Sequence, residues 1–181
     1  MPYLIAFLLG SIPSGPIIAR LKGVDLKSVG SGNIGATNVY RALGRSYGLL
    51  VFILDLLKGL TPMAIFLDPW IVPACVLGHC FSPWLIFRGG KGVSTFIGSM
   101  MPLFPLSLLF ALVIWFIVHL TTRIVSLASI FLAILLPVLV YLLYSIDVLP
   151  IVLTALIVVI RHIDNINRLI SGKESKTKFA I

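Results

Sequence analysis

Ile124-Val-Ser-Leu-Ala-Ser-Ile-Phe-Leu-Ala-Ile-Leu-Leu-Pro-Val-Leu-Val-Tyr-Leu-Leu-Tyr144 carries no charged residue from end to end. A helix crossing the hydrocarbon core of a bilayer needs about 20 such residues, so this stretch reads as a membrane span. The whole chain is consistent with that solvent. Of its 181 residues 59% are hydrophobic and 11% are Asp, Glu, Lys or Arg, the latter less than half the usual share of about 25%. So few charges cannot cover a soluble globule, which excludes a soluble enzyme, a disordered tail and a coiled coil. Further apolar runs extend over 2–19, 47–67, 70–87, 93–120 and 148–160. The 93–120 run is too long for one ordinary span, and Met101-Pro-Leu-Phe-Pro105 invites a break into two segments.

Charge placement sets the sides. The net charge is +8, from 14 Lys and Arg against 6 Asp and Glu. On a soluble protein that surplus would suggest nucleic acid; on a membrane protein it suggests cytoplasmic loops and anionic ligands or headgroups, and no nucleic-acid partner is expected. Arg20, Lys22, Lys27, Arg41 and Arg45 lie in the first loop, so that loop is expected in the cytoplasm and the N-terminus outside. With a turn at 101–105, Arg88, Lys91, Arg123 and the basic tail from Arg161 to Lys178 return to the same face, whereas a five-segment arrangement puts Arg123 outside. The expected architecture is therefore an all-α polytopic membrane bundle of seven segments, some short, forming a single domain over residues 1–181. The N-terminal run lacks the basic start of a secretory signal and reads as a retained first span.

Polar sequence collects in three pieces. The first contains Ser31-Gly-Asn-Ile-Gly-Ala-Thr-Asn-Val-Tyr-Arg-Ala-Leu-Gly44, in which glycines allow tight turns, Ser31, Asn33 and Asn38 offer hydrogen bonds, and Arg41 offers a forked cation suited to phosphate. It also reads as a glycine-rich loop capping an interfacial helix from Thr37. The second, around Gly78-His79, ends in Arg88-Gly-Gly-Lys-Gly92 and runs through Ser94 into an apolar stretch. A glycine loop feeding a helix N-terminus directs N–H donors and the positive dipole end at one point, an anion site to which Arg88 and Lys91 add charge. It is not a Walker A loop, since Gly92 follows Lys91. The third, Arg161-His-Ile-Asp-Asn-Ile-Asn-Arg168, spaces His162, Asn165 and Arg168 for one helix face. Within the second span, Asp55 and Lys58 stand three apart, as a structural ion pair or as part of the floor of a site.

Absences narrow the chemistry. No G-x-S-x-G elbow, no H-E-x-x-H and no aspartate five residues after His79, His119 or His162 occurs. Cys75 and Cys80 lack metal-ligand spacing and read as small buried residues, and neither a metal nor a cofactor is expected. The chain is rich in phosphate binders and poor in general bases. A small transporter of phosphorylated metabolites is the competing class, favoured by Gly/Pro-interrupted spans and intramembrane ionisable residues; a lipid-binding scaffold would need only the basic tail.

Together the three pieces, with Leu54-Asp-Leu-Leu-Lys-Gly59 between the first two, resemble the bacterial acyl-phosphate:glycerol-3-phosphate acyltransferase family over nearly the whole chain. The resemblance implies an integral inner-membrane enzyme of seven helices, with its site facing the cytoplasm, moving a fatty acyl group from acyl phosphate to the 1-hydroxyl of glycerol 3-phosphate. Lysophosphatidic acid and phosphate would be the products, with membrane lipids as surroundings. By motif position Ser31 and Arg41 match the essential pair of the first motif. Gly89, Gly90 and Gly92 match the phosphate loop, His162 and Asn165 the pair of the third motif, and Glu174 its structural glutamate. The expected catalytic set is Ser31, Arg41, Lys91, His162 and Asn165. Asn33, Asn38, His79, Arg88, Gly89, Gly90, Gly92 and Ser94 are expected to hold substrate, with Asp55, Lys58 and Glu174 structural.

Overall fold

The computed structural model describes residues 1–177; Lys178, the last residue of the expected basic tail, lies outside them. The described residues contain helices and turns and no strand. They fall into two compact units, one over Met1–Pro102 and one beginning at Leu103.

The first unit holds α1 (Pro2–Gly10), α2 (Ser14–Leu21), α3 (Ala36–Leu43), α4 (Arg45–Phe66), α5 (Ile71–Cys80), a 3₁₀ turn (Pro83–Leu85) and α6 (Val93–Met100). The first apolar run, expected as one span, is broken at Ser11–Pro13 into α1 and α2. Pro13 has no N–H to continue the ladder, and the Ser11 hydroxyl donates back to the Leu8 carbonyl at 2.7 Å. Helix α4 is the hub and packs against α1, α2, α3, α5 and α6. Its approach to α6 is backbone on backbone: a Cβ on Gly59 would collide with the Thr95 carbonyl, and one on Gly98 with the Leu56 carbonyl. Helices α1 and α5 meet the same way, Gly10 against the Cys75 carbonyl and Gly78 against that of Phe7. In lipid no hydrophobic force presses helices together, so small residues that admit close van der Waals packing take over.

The second unit holds α7 (Pro105–Thr122), α8 (Val125–Tyr144), α9 (Leu149–Ile160) and α10 (Ile163–Ile170). Helix α8 packs against α7 and α9. Left-handed Arg123 and Ser145 end α7 and α8, reversing the chain within a few residues.

Among the described residues, four helical stretches are long and apolar enough to cross a bilayer: Pro2–Leu21, Arg45–Phe66, Pro105–Thr122 and Val125–Tyr144. A fifth arises if α9 and α10 form one span across their 56° bend. The long 93–120 run breaks after Met100, as its prolines require, and leaves α6 with eight residues, about 12 Å of helix. Large apolar side chains stand exposed on these helices, among them Ile65 at 64% and Leu142 at 68%, which water would penalise and acyl chains do not.

Gly98→Val forces the α4–α6 backbones apart and should cost about 1–3 kcal/mol, read as a lower unfolding midpoint in detergent; an unchanged midpoint would show that the helices have slack there.

Candidate active site

The first polar piece hangs on an apolar cluster of Ala19, Leu26, Ile34, Val39 and Val51. Above it the chain turns through left-handed Gly30 and Gly32. Buried Asn38, on α3, braces this turn: its Oδ1 accepts the Ser31 N–H at 2.9 Å, and its Nδ2 donates to the Leu26 and Val29 carbonyls, each at 3.0 Å. Expected as a substrate contact, Asn38 spends its carboxamide on the loop instead. Asn33 likewise accepts the Gly35 N–H at 3.0 Å ahead of α3. Ser31 and Arg41 remain exposed beside the braced turn, with Arg41 Cδ within 3.7 Å of where a Gly30 Cβ would lie.

The second piece folds flat onto the end of α5. The Ser82 hydroxyl donates to the Ser11 carbonyl at 2.6 Å and the Trp84 indole N–H to the Ser11 hydroxyl at 3.0 Å. Gly89 N–H then donates to the Cys80 carbonyl at 3.0 Å and Gly90 N–H to that of His79 at 3.1 Å. These two N–H groups are therefore turned inward onto α5 and are not among the several donors expected to converge on one point. The first turn of α6, which follows Lys91 and Gly92, holds backbone N–H groups with no intrahelical acceptor. Glycine is needed for contact: a Cβ at 89 would strike the His79 carbonyl and one at 90 the His79 imidazole. Gly92 also has φ +81° and caps α6, whose first turn carries half-buried Ser94. Arg88 is exposed at the start of the loop.

Beneath this loop lies a buried ionic centre. Lys58 Nζ stands 2.9 Å from Asp55 Oδ1, with the side chains 7% and 4% exposed, and donates to the Ile12 carbonyl at 3.0 Å. His79 Nδ1 lies 4.0 Å from the same carboxylate oxygen and 3.3 Å from Thr95 Oγ1. Asp55 Oδ1 has no aligned hydrogen bond, so the lysine charge is what offsets its burial. Asp55 and Lys58 form an ion pair, the first of the two readings, and with Ser11, Ser14, His79 and Ser82 they line a cavity of about 10 Å³, room for one water.

The third piece belongs to the second unit. His162 is buried, and its Nδ1–H donates to the Val158 carbonyl at 2.8 Å, which in the neutral ring leaves the lone pair on Nε2. Glu174 ties the segment after α10 to the bundle. Its Oε1 accepts Asn165 Nδ2 at 2.6 Å and the Ser126 hydroxyl at 2.8 Å, and its Oε2 accepts Arg168 Nε at 2.6 Å. Burial pushes the Glu174 carboxyl up, but these three donors and the Arg168 charge outweigh it and hold it below the ordinary value of 4.5.

The fold thus gathers Ser31, Asn38 and Arg41 at one turn, Asp55, Lys58, His79 and Gly90 at another point, and Asn165 with Glu174 at a third. Ser11, Ser82, Thr95 and Ser126 complete these clusters and were not singled out in the sequence. Their signal was present for Ser11, in the Gly10-Ser-Ile-Pro-Ser-Gly15 turn composition inside an apolar run. Cys75 and Cys80 are buried and not joined in a disulfide, and among the described residues no three His, Cys, Asp or Glu side chains form a group able to hold a metal ion.

The family model described as glycerol-3-phosphate acyltransferase matches residues 1–172. The chain belongs to that family. A glycerol-3-phosphate acyltransferase of Aquifex aeolicus is 46% identical, with 96% of each chain covered, and one of Geobacter sulfurreducens is 42% identical over 96% of this chain and 95% of the other. Among solved structures, PlsY (YgiH), an integral membrane glycerol 3-phosphate acyltransferase, superposes in its glycerol 3-phosphate form with a TM-score of 0.92 at 42% identity, covering 97% of this chain and 94% of that one. Its lysophosphatidic acid form gives 0.88 at 41% identity, covering 97% and 93%. This glycerol-3-phosphate acyltransferase family member is accordingly an integral membrane protein with an all-helical fold.

A depressed carboxyl stabilises the folded state above its unfolded pKa, and that contribution is lost as pH falls through the folded value. The protection factors of residues 165–176, taken against the intrinsic exchange rate at each pH, should therefore be high at neutral pH and fall well below pH 4.5. Glu174→Gln should raise exchange at neutral pH and flatten the acid dependence; an unaltered acid profile in that variant would remove Glu174 as the titrating group.

Proposed function

We propose that this protein transfers a fatty acyl group from acyl phosphate to the 1-hydroxyl of glycerol 3-phosphate, giving lysophosphatidic acid and inorganic phosphate. The reading rests chiefly on one observation: within a single unit the fold presents two glycine-built cationic turns, one beside Arg41 and one ending in Lys91 at the start of α6. Both substrates carry phosphate, and membership of the family supplies the acceptor class.

In this reading the alcohol oxygen of glycerol 3-phosphate attacks the acyl carbonyl carbon, and the resulting tetrahedral centre collapses by breaking its bond to the phosphate oxygen, which leaves with the electron pair. Acyl phosphate is an activated mixed anhydride, so positioning and charge stabilisation carry most of the work. Arg41, Arg88 and Lys91 stabilise the oxyanion and the departing phosphate, while Ser31 and the first turn of α6 with Ser94 supply neutral donors. Asn33 and Asn38 act by holding the first turn in shape, and Gly89, Gly90 and Gly92 by letting the second lie flush on His79. The proton of the attacking hydroxyl passes to the substrate's own phosphate; His79 or His162 is the protein alternative. The lopsided placement of Lys and Arg supports seven membrane segments with the N-terminus outside and the three polar pieces at the cytoplasmic face of the bacterial inner membrane. The short α5 and α6 are then accommodated by burial against α4.

The purified protein should release phosphate from palmitoyl phosphate only when glycerol 3-phosphate is present; flux of glycerol 3-phosphate across sealed vesicles with no new lipid would make it a transporter. Arg41→Ala and Lys91→Ala should each lower kcat at least about a hundredfold with the protein still inserted. Gly90→Ala, which must push the His79 ring aside, should raise KM for glycerol 3-phosphate more than it lowers kcat. Near-normal turnover in both charge variants would remove the phosphate assignment, a labelled acyl adduct on Ser31 would replace direct transfer, and a lost limb of the pH–rate profile in His162→Gln or His79→Gln would replace the substrate-assisted base.

A further inference from the structure

On the first unit, beside the turn that follows α2, lies an open cavity of about 340 Å³, within the range of ligand sites and far larger than the ionic cavity under His79. Pro16, Ala19, Arg20 and Gly23, at successive helical spacings, form one wall along α2 and its end. Val24, Leu26, Ile34 and Leu85 make the rest of the apolar lining. The polar lining is Arg20, Lys27 and Arg88, with Asp25 as the single carboxylate. Asp25 Oδ1 accepts the Lys27 backbone N–H at 3.0 Å, which holds the turn, and among the described residues no carboxylate lies within ion-pair distance of the three cations. Three cations against one carboxylate are thus collected around one apolar-lined space, a net positive charge that an anion there would offset. On the same helix Ile17 and Leu21 are exposed, at 47% and 79%, so α2 carries apolar surface as well as the groove wall.

We propose that this groove binds the phosphate headgroup of an anionic bilayer phospholipid. The occupant must carry a negative charge for Arg20, Lys27 and Arg88 and apolar bulk for Ala19, Leu26 and Leu85, and an anionic phospholipid at the headgroup level supplies both. Arg88 is the one residue shared with the candidate acyl-transfer loop. The inference does not rest on the proposed reaction, because it concerns retention of a lipid rather than its turnover. The experiment is native mass spectrometry of the protein released from nanodiscs of phosphatidylcholine containing a graded fraction of phosphatidylglycerol, with acyl transfer measured separately in phosphatidylcholine alone. The wild type should retain phosphatidylglycerol in preference to phosphatidylcholine. Arg20→Gln and Lys27→Gln should each lower that retention about fivefold while turnover in phosphatidylcholine stays at the wild-type value. Lys22→Gln, which removes a nearby cation seated on the Tyr47 ring and outside the groove, should leave retention unchanged. Equal retention of the two lipids by the wild type would overturn the proposal, as would a loss in Lys22→Gln equal to that in Lys27→Gln, which would mean diffuse surface charge. Displacement of phosphatidylglycerol by inorganic phosphate or glycerol 3-phosphate would overturn it in favour of a site for water-soluble phosphates.

Discussion

The buried pair of Asp55 and Lys58 is the contact on which the first unit turns. An ionised carboxylate three residues before a lysine, both nearly sealed from solvent, persists only where geometry returns what desolvation takes away. Here the lysine reaches beyond its partner to the Ile12 carbonyl, exposed by the break between α1 and α2. The carboxylate faces His79 at the far end of α5. One ion pair on the longest helix thus fastens a broken N-terminal helix to the helix that carries the glycine loop.

That loop shows how steric and electronic demands combine. His79 contributes its carbonyl to the Gly90 N–H and its ring to the surface on which Gly90 lies. The glycines are spaces before they are donors: their lack of a Cβ lets the turn sit against the imidazole, and this contact fixes where Lys91 and the first turn of α6 begin. The same economy holds α4 to α6 through Gly59 and Gly98. Close backbone approach recurs because lipid offers helices little reason to associate other than packing.

Much of this was legible along the chain. The proline pair at 102 and 105 announced the break between α6 and α7, and the length of the 124–144 run announced α8 nearly to the residue. The glycine and cation clusters marked the turns that carry chemistry. Less visible was the break inside the first apolar run, since Gly10-Ser-Ile-Pro-Ser-Gly15 is turn sequence made of residues that apolar runs also tolerate. Asn38 was recognisable as a polar residue near a phosphate-like loop, but its three internal hydrogen bonds, which make it a brace, depend on backbone groups 7 to 12 residues away.

Solvent, helix positions and the crowding of cations into a few pieces follow from composition and order alone, because hydrophobic length and charge are properties of contiguous sequence. Partnership is not such a property. That Lys58 meets Ile12, that Glu174 gathers Ser126, Asn165 and Arg168, and that Arg20, Lys27 and Arg88 surround one apolar-lined space were decided only when helices far apart in sequence packed together. Buried polar groups must find partners wherever the packing brings them, and the packing is set by which backbones can touch.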